Sequence, residues 1–181
     1  MSFTAAPKYA IIPGVNPNLK TTLKTWPVVF LAGAFLCALT AWVAGRLGIS
    51  LHEQMSLDHL KSARGWKLAG FLAYALLAAP AGEEIVFRFF LFKLPLRLVQ
   101  RFARGGRARG AGLFAAVSSL LFVAVHYNRL NPFPDNAFVA LFVFGLAQCW
   151  LYRKTSWLWA PVLNHILFNV TNVVFFFALP Q

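Results

Sequence analysis

Long apolar runs separated by short polar stretches organise this chain. The first, Trp26 to Gly45, passes about 20 residues without a charge. It exceeds the roughly 7–15 residues of a secretory signal core, so it predicts an uncleaved spanning helix. A second run starts near Trp66 and reaches Phe92, a third covers 110–127, a fourth 136–152, and a fifth runs from Trp157 to about Leu179. Between the first two runs, residues 50–65 set Leu51 and Met55 on one helical face and Leu57 and Leu60 on another. That pattern fits a short segment resting on a membrane surface. His52 and His59 fall on its wet side. Residues 131–135 read Asn-Pro-Phe-Pro-Asp, a turn. The expected fold is all-α: a polytopic membrane helical bundle of about five transmembrane helices with one short interfacial segment. Residues 1–25, with Pro7, Pro13 and Pro17, form a polar tail, and 26–181 form a single membrane-embedded domain without internal repeats.

Composition supports the membrane class. The chain of 181 residues is 59% hydrophobic and 12% charged, against about 25% charged in a typical soluble domain. A formal net charge of +12 raises nucleic acid as a partner, but the basic residues lie mostly between the apolar runs and no recognition motif accompanies them. A basic excess in flanking loops is a topology signal. Lys8, Lys20 and Lys24 lie in the tail, Lys93, Arg97, Arg101, Arg104, Arg107 and Arg109 follow the second run, and Arg153 and Lys154 follow the fourth. Alternating spans put these segments on one side, which predicts a cytoplasmic N-terminus and an integral, multi-pass protein, with a bacterial inner membrane as the expected location. All six tryptophans fall near span ends, as an interfacial aromatic belt places them. Cys37 and Cys149 sit inside apolar runs and read as small buried hydrophobes rather than a disulfide.

Against this background the ionisable residues placed inside the hydrocarbon, away from the ends of the runs, are few: Glu83, Glu84, Arg88, His126 and His165. Charges at bilayer depth cost roughly 2.5–3.5 kcal/mol on insertion scales and mark functional sites by default. Glu84 and Arg88, four residues apart, share one helical face and reach each other as an ion pair. Glu83 is turned about 100° away and has no local partner. Pro80 and Gly82 loosen the helix just before it. Phe122 lies one turn before His126, and Asn169 one turn after His165. A carboxylate with two imidazoles can position and deprotonate a water, or bind a Zn²⁺ that does so. An amide and a second imidazole can donate to a developing oxyanion. Counting along the helices from the basic side puts Glu83 about 15 Å from Lys93, His165 about 16 Å from Lys154, and His126 about 25 Å from Arg109.

Glu83-Glu84-x-x-x-Arg88, Phe122-x-x-x-His126 and His165-x-x-x-Asn169, in that order on separate predicted spans, resemble the CPBP family of intramembrane proteases, which includes the CAAX prenyl endopeptidases. The likeness covers roughly residues 66–175. It implies an intramembrane endopeptidase that cuts near the C-terminus of a membrane-anchored protein substrate. Glu83 would be the general base, His126 would help hold the water, His165 and Asn169 would stabilise the oxyanion, and Glu84, Arg88 and Phe122 would support them. Glutamic-type and metallo-type chemistry both remain open, with Glu83, His126 and His165 as the zinc ligand set in the second. Prenylated proteins and bacterial proteins with C-terminal sorting tails are both open as substrates. A bundle of about five helices is compact for that family and implies self-association or a partner to complete a substrate cavity. A proton-coupled transporter and a non-catalytic scaffold are the alternatives, and the lack of repeat symmetry weighs against the first.

Overall fold

The computed structural model describes residues 16–51, 60–102, 110–127 and 137–178. Within these it is helical, with no β-strand. Helix α1 spans Pro17–Leu47. After it comes an unbroken helical run made of α2 (Gly65–Ala73), a π-helical segment π1 (Tyr74–Ala78), α3 (Ala79–Glu84), a second π-helical segment π2 (Ile85–Lys93) and α4 (Leu94–Phe102). Then follow α5 (Ala111–Val125), α6 (Phe138–Thr155) and α7 (Trp159–Ala178).

Several boundaries differ from those the apolar runs suggest. Helix α1 begins at Pro17 rather than Trp26, so the last part of the expected tail is helical. The Asn16 side chain accepts from the Asn18 amide at 2.9 Å, and Pro17 sits at the first turn, where its missing N–H costs nothing. The chain leaves α1 through Gly48 at φ 67, a left-handed cap. The basic stretch after Phe92 is not all loop. Lys93 ends π2, and Arg97 and Arg101 lie on α4 at four-residue steps, the spacing of one helical face. Arg104, Arg107 and Arg109 fall outside the described residues, as do Lys8, His52, His59 and the turn at 131–135. Of the interfacial segment expected over 50–65, residues 52–59 also fall outside, and residues 60–62 are helical.

Helices α1 and α7 are long and apolar enough to cross a membrane, and α5 is a shorter apolar helix. The distribution of side chains fits that surrounding. Leu31, Phe35, Trp42, Leu113, Val125 and Phe177 are exposed, while Thr22, Glu84, Arg88, Ser118, Ser119, Gln148, Asn164 and His165 are buried. A soluble protein does not leave so many large apolar groups in water. Polar groups packed inside an apolar shell are what a lipid-facing bundle requires.

Two apolar clusters fix the polar ones in place. Phe92, Leu96, Ala111, Cys149 and Tyr152 join π2, α4, α5 and α6 near the basic end. Val29, Phe87, Phe122 and Phe144 join α1, π2, α5 and α6 next to the carboxylates. Helices α5 and α6 approach closely: a Cβ at Gly145 would stand 2.8 Å from Ser119 Cβ and 3.1 Å from its Cα, so only glycine fits.

Candidate functional site

Glu83 and Glu84 lie at the junction of α3 and π2. In a π-helical turn each N–H reaches back five residues rather than four, which admits an extra residue and breaks the regular rows of side chains. The first such break, π1, has a readable cause. Ala79 N–H bonds to Tyr74 O, the five-residue pattern. Ala75 O would next take the amide of residue 80, but Pro80 has none. Asn169 Nδ2, from α7, donates to Ala75 O instead at 2.9 Å. The amide expected to face an oxyanion thus spends one of its hydrogens on the backbone and pins the Glu-bearing run to the last helix.

Downstream, Glu84 and Arg88 are both 0% exposed and form the expected ion pair, Nε to Oε2 2.9 Å. The guanidine N–H does not point along that line, so this is a charge contact rather than an aligned hydrogen bond. Arg88 also donates through Nη1 to Ser118 Oγ at 3.2 Å, and Ser118 donates in turn to Phe87 O at 2.6 Å. Its guanidinium lies over the Phe122 ring, 5.0 Å from the centroid. The second oxygen of Glu84 is held from another helix: His165 Nδ1 stands 2.9 Å from Glu84 Oε1. A carboxylate oxygen accepts, so this ring nitrogen carries the proton. His165 Nε2 faces Glu83 Oε2 at 3.8 Å, inside ion-pair range and beyond hydrogen-bond reach. Glu83 itself keeps 27% of its side chain exposed. One carboxylate is locked and its neighbour is open.

Helix α5 stops at Val125, so His126 is its C-cap and is exposed rather than enclosed in a span. Its Nδ1 lies 2.7 Å from Phe122 O, one turn back. Because a carbonyl only accepts, Nδ1 is the donor in this contact. The Phe122 ring, wholly buried, packs against His126 at 4.6 Å and His165 at 6.0 Å between centroids.

These groups share one space. A cavity of about 460 Å³ is lined by Glu83, His126, His165 and Asn169 together, with Phe30, Leu141, Phe144 and Phe168 forming much of its apolar wall. It lies between α1, α2, π1, α3, α5, α6 and α7. Among the described residues no three His, Cys, Asp or Glu side chains are gathered to hold an ion. His165 Nδ1 is already committed to Glu84, and only Glu83 approaches its other nitrogen.

Two partners stand outside the expected set. Gln148 Nε2 donates to Asn164 Oδ1 at 2.9 Å, linking α6 to the residue next to His165, and both are buried. Ser118, which reads as a packing residue, joins Arg88 to the backbone of π2. Gln148 had a signal, as the one amide between Ala137 and Trp150 in the fourth run; Ser118 had none beyond its neighbour Ser119.

A protein-family model described as "Type II CAAX prenyl endopeptidase Rce1-like" matches residues 65–171, more than half of the chain. No curated protein and no solved structure matches.

Proposed function

Because the chain belongs to the type II CAAX prenyl endopeptidase Rce1-like family, a family of membrane-embedded proteases, we propose that it hydrolyses a peptide bond near the C-terminus of a membrane-anchored protein, with Glu83 activating the water. One observation carries this reading: among the described residues, Glu83 is the only carboxylate lining a cavity that also holds His126, His165 and Asn169. Glu84 is locked by Arg88 and His165 and cannot serve as base. Glu83 takes a proton from water as the water oxygen attacks the carbonyl carbon. His126 Nε2 accepts the water's other hydrogen and aims it. His165, doubly protonated, donates through Nδ1 to Glu84 and through Nε2 toward the oxyanion. The second hydrogen of Asn169 Nδ2 is the other donor. The C–N bond then breaks, and Glu83 returns its proton to the leaving amine. No step requires a metal.

The apolar wall suits a substrate that arrives through the bilayer, with prenylated and unmodified C-terminal tails as the two substrate classes. A bacterial inner membrane, about five crossings, a cytoplasmic N-terminus and self-association complete the proposal.

The test compares membrane-protein C-termini by mass spectrometry in cells carrying wild type or Glu83→Gln. A defined set of tails kept only in the variant is the expected result, and the cut sites name the substrate class. Unchanged termini at equal protein levels would overturn the assignment of Glu83.

A further inference from the structure

Away from the catalytic cavity, the start of α1 and the end of α6 form a groove of about 710 Å³. Lys20 and Lys24 reach it from successive turns of α1, and Lys154 reaches it from the last turn of α6. Below them the lining turns apolar: Val28 on α1, and Ala147 and Trp150 on α6. Among the described residues no carboxylate lines it. Lys154 Nζ lies 4.8 Å from the Trp150 ring centroid, which holds the ammonium beside the groove and leaves half the indole exposed as a wall. The Thr21 and Thr25 hydroxyls donate to Pro17 O and Thr21 O, at 3.0 and 2.8 Å, so recognition of an anion falls to the lysines.

Helix length sets the depth of this groove. The 31 residues of α1 span about 46 Å, against a hydrocarbon core of about 30 Å. The first turns of α1 therefore stand at headgroup level, with Val28 one turn into the apolar layer. A ligand matching both halves carries an anion at one end and a hydrocarbon chain at the other. A soluble anion would leave the Val28, Ala147 and Trp150 surface unused. We propose that this groove binds one anionic phospholipid, its phosphate between Lys20, Lys24 and Lys154 and an acyl chain along Val28 and Trp150. The proposal uses the membrane setting and is independent of the protease reading.

The experiment is native mass spectrometry of the purified full chain released from mixed phosphatidylglycerol and phosphatidylcholine nanodiscs, for wild type, Lys154→Gln, and the triple variant Lys20→Gln, Lys24→Gln, Lys154→Gln. Wild type is expected to retain one phosphatidylglycerol in preference to phosphatidylcholine. The preference should fall about fivefold for each lysine removed. The single variant keeps the test decisive if the triple variant does not accumulate. Equal retention of both lipids, or an unchanged preference in Lys154→Gln, would overturn the proposal. So would inorganic phosphate at low millimolar concentration displacing the bound lipid fully, which would make the groove a site for soluble anions.

Discussion

Glu84 answers to two helices at once, Arg88 on its own run and His165 on α7, and both contacts measure 2.9 Å. Removing one partner therefore leaves a buried charge partly uncompensated, which costs about 3–5 kcal/mol. Arg88→Ala is expected to lower protein accumulation and the thermal midpoint in detergent; a fully abundant variant with an unchanged midpoint would count against a structural ion pair. Glu83→Gln, on a half-open side chain, is expected to keep normal abundance and lose turnover. Chelators that strip zinc are expected to leave cleavage intact, and a loss reversed by added zinc would return Glu83, His126 and His165 to the role of ligands. Four-residue spacing on a helix made the Glu84–Arg88 pair legible before any coordinates. The tie from His165 to Glu84 was not, because a contact across 81 residues leaves no local trace. The apolar run also did not show where α5 stops: it ends at Val125, one residue before His126.

Among the elements, the Pro80 break and the Asn169 amide form a unit. Asn169→Ala leaves Ala75 O without its donor and is expected to cost about 1–3 kcal/mol. Pro80→Ala restores a backbone N–H that can serve the same carbonyl. In that background the Asn169→Ala penalty should shrink, with a coupling of about 0.5–3 kcal/mol in a double-mutant cycle of unfolding midpoints. Strict additivity would refute the account of π1. At the α5–α6 crossing, Gly145→Val is expected to destabilise the chain and Ser119→Ala to relieve part of that loss, since the added side chain meets Ser119 first. The apolar runs located these helices to within a few residues. They missed the start of α1, where Pro17 reads as a turn but serves as a helix opener, and they missed α4, whose arginines read as loop. Neither π segment was visible, because a shift from four-residue to five-residue bonding changes no residue type.

Across the described residues, a largely apolar exterior surrounds a core in which Glu84, Arg88, Gln148 and Asn164 are buried among apolar side chains, unlike the usual soluble pattern. Alkaline carbonate washing should leave the protein in the membrane pellet, and its release into the wash would contradict lipid embedding. The cavity itself depends on distant parts of the chain: α1 closes one wall, α3 brings Glu83, and α7 brings His165 and Asn169. That dependence has a consequence for biosynthesis. A ribosome makes the Glu-bearing run long before α7, so the nascent helix enters the membrane with Ala75 O lacking its donor and Glu84 lacking its imidazole. Until the last helix docks, Glu83 stands without His165 and Asn169, the donors of the proposed mechanism. On that mechanism, cleavage waits for assembly to be complete, and an interrupted chain carries bare buried polar groups that a finished one pairs.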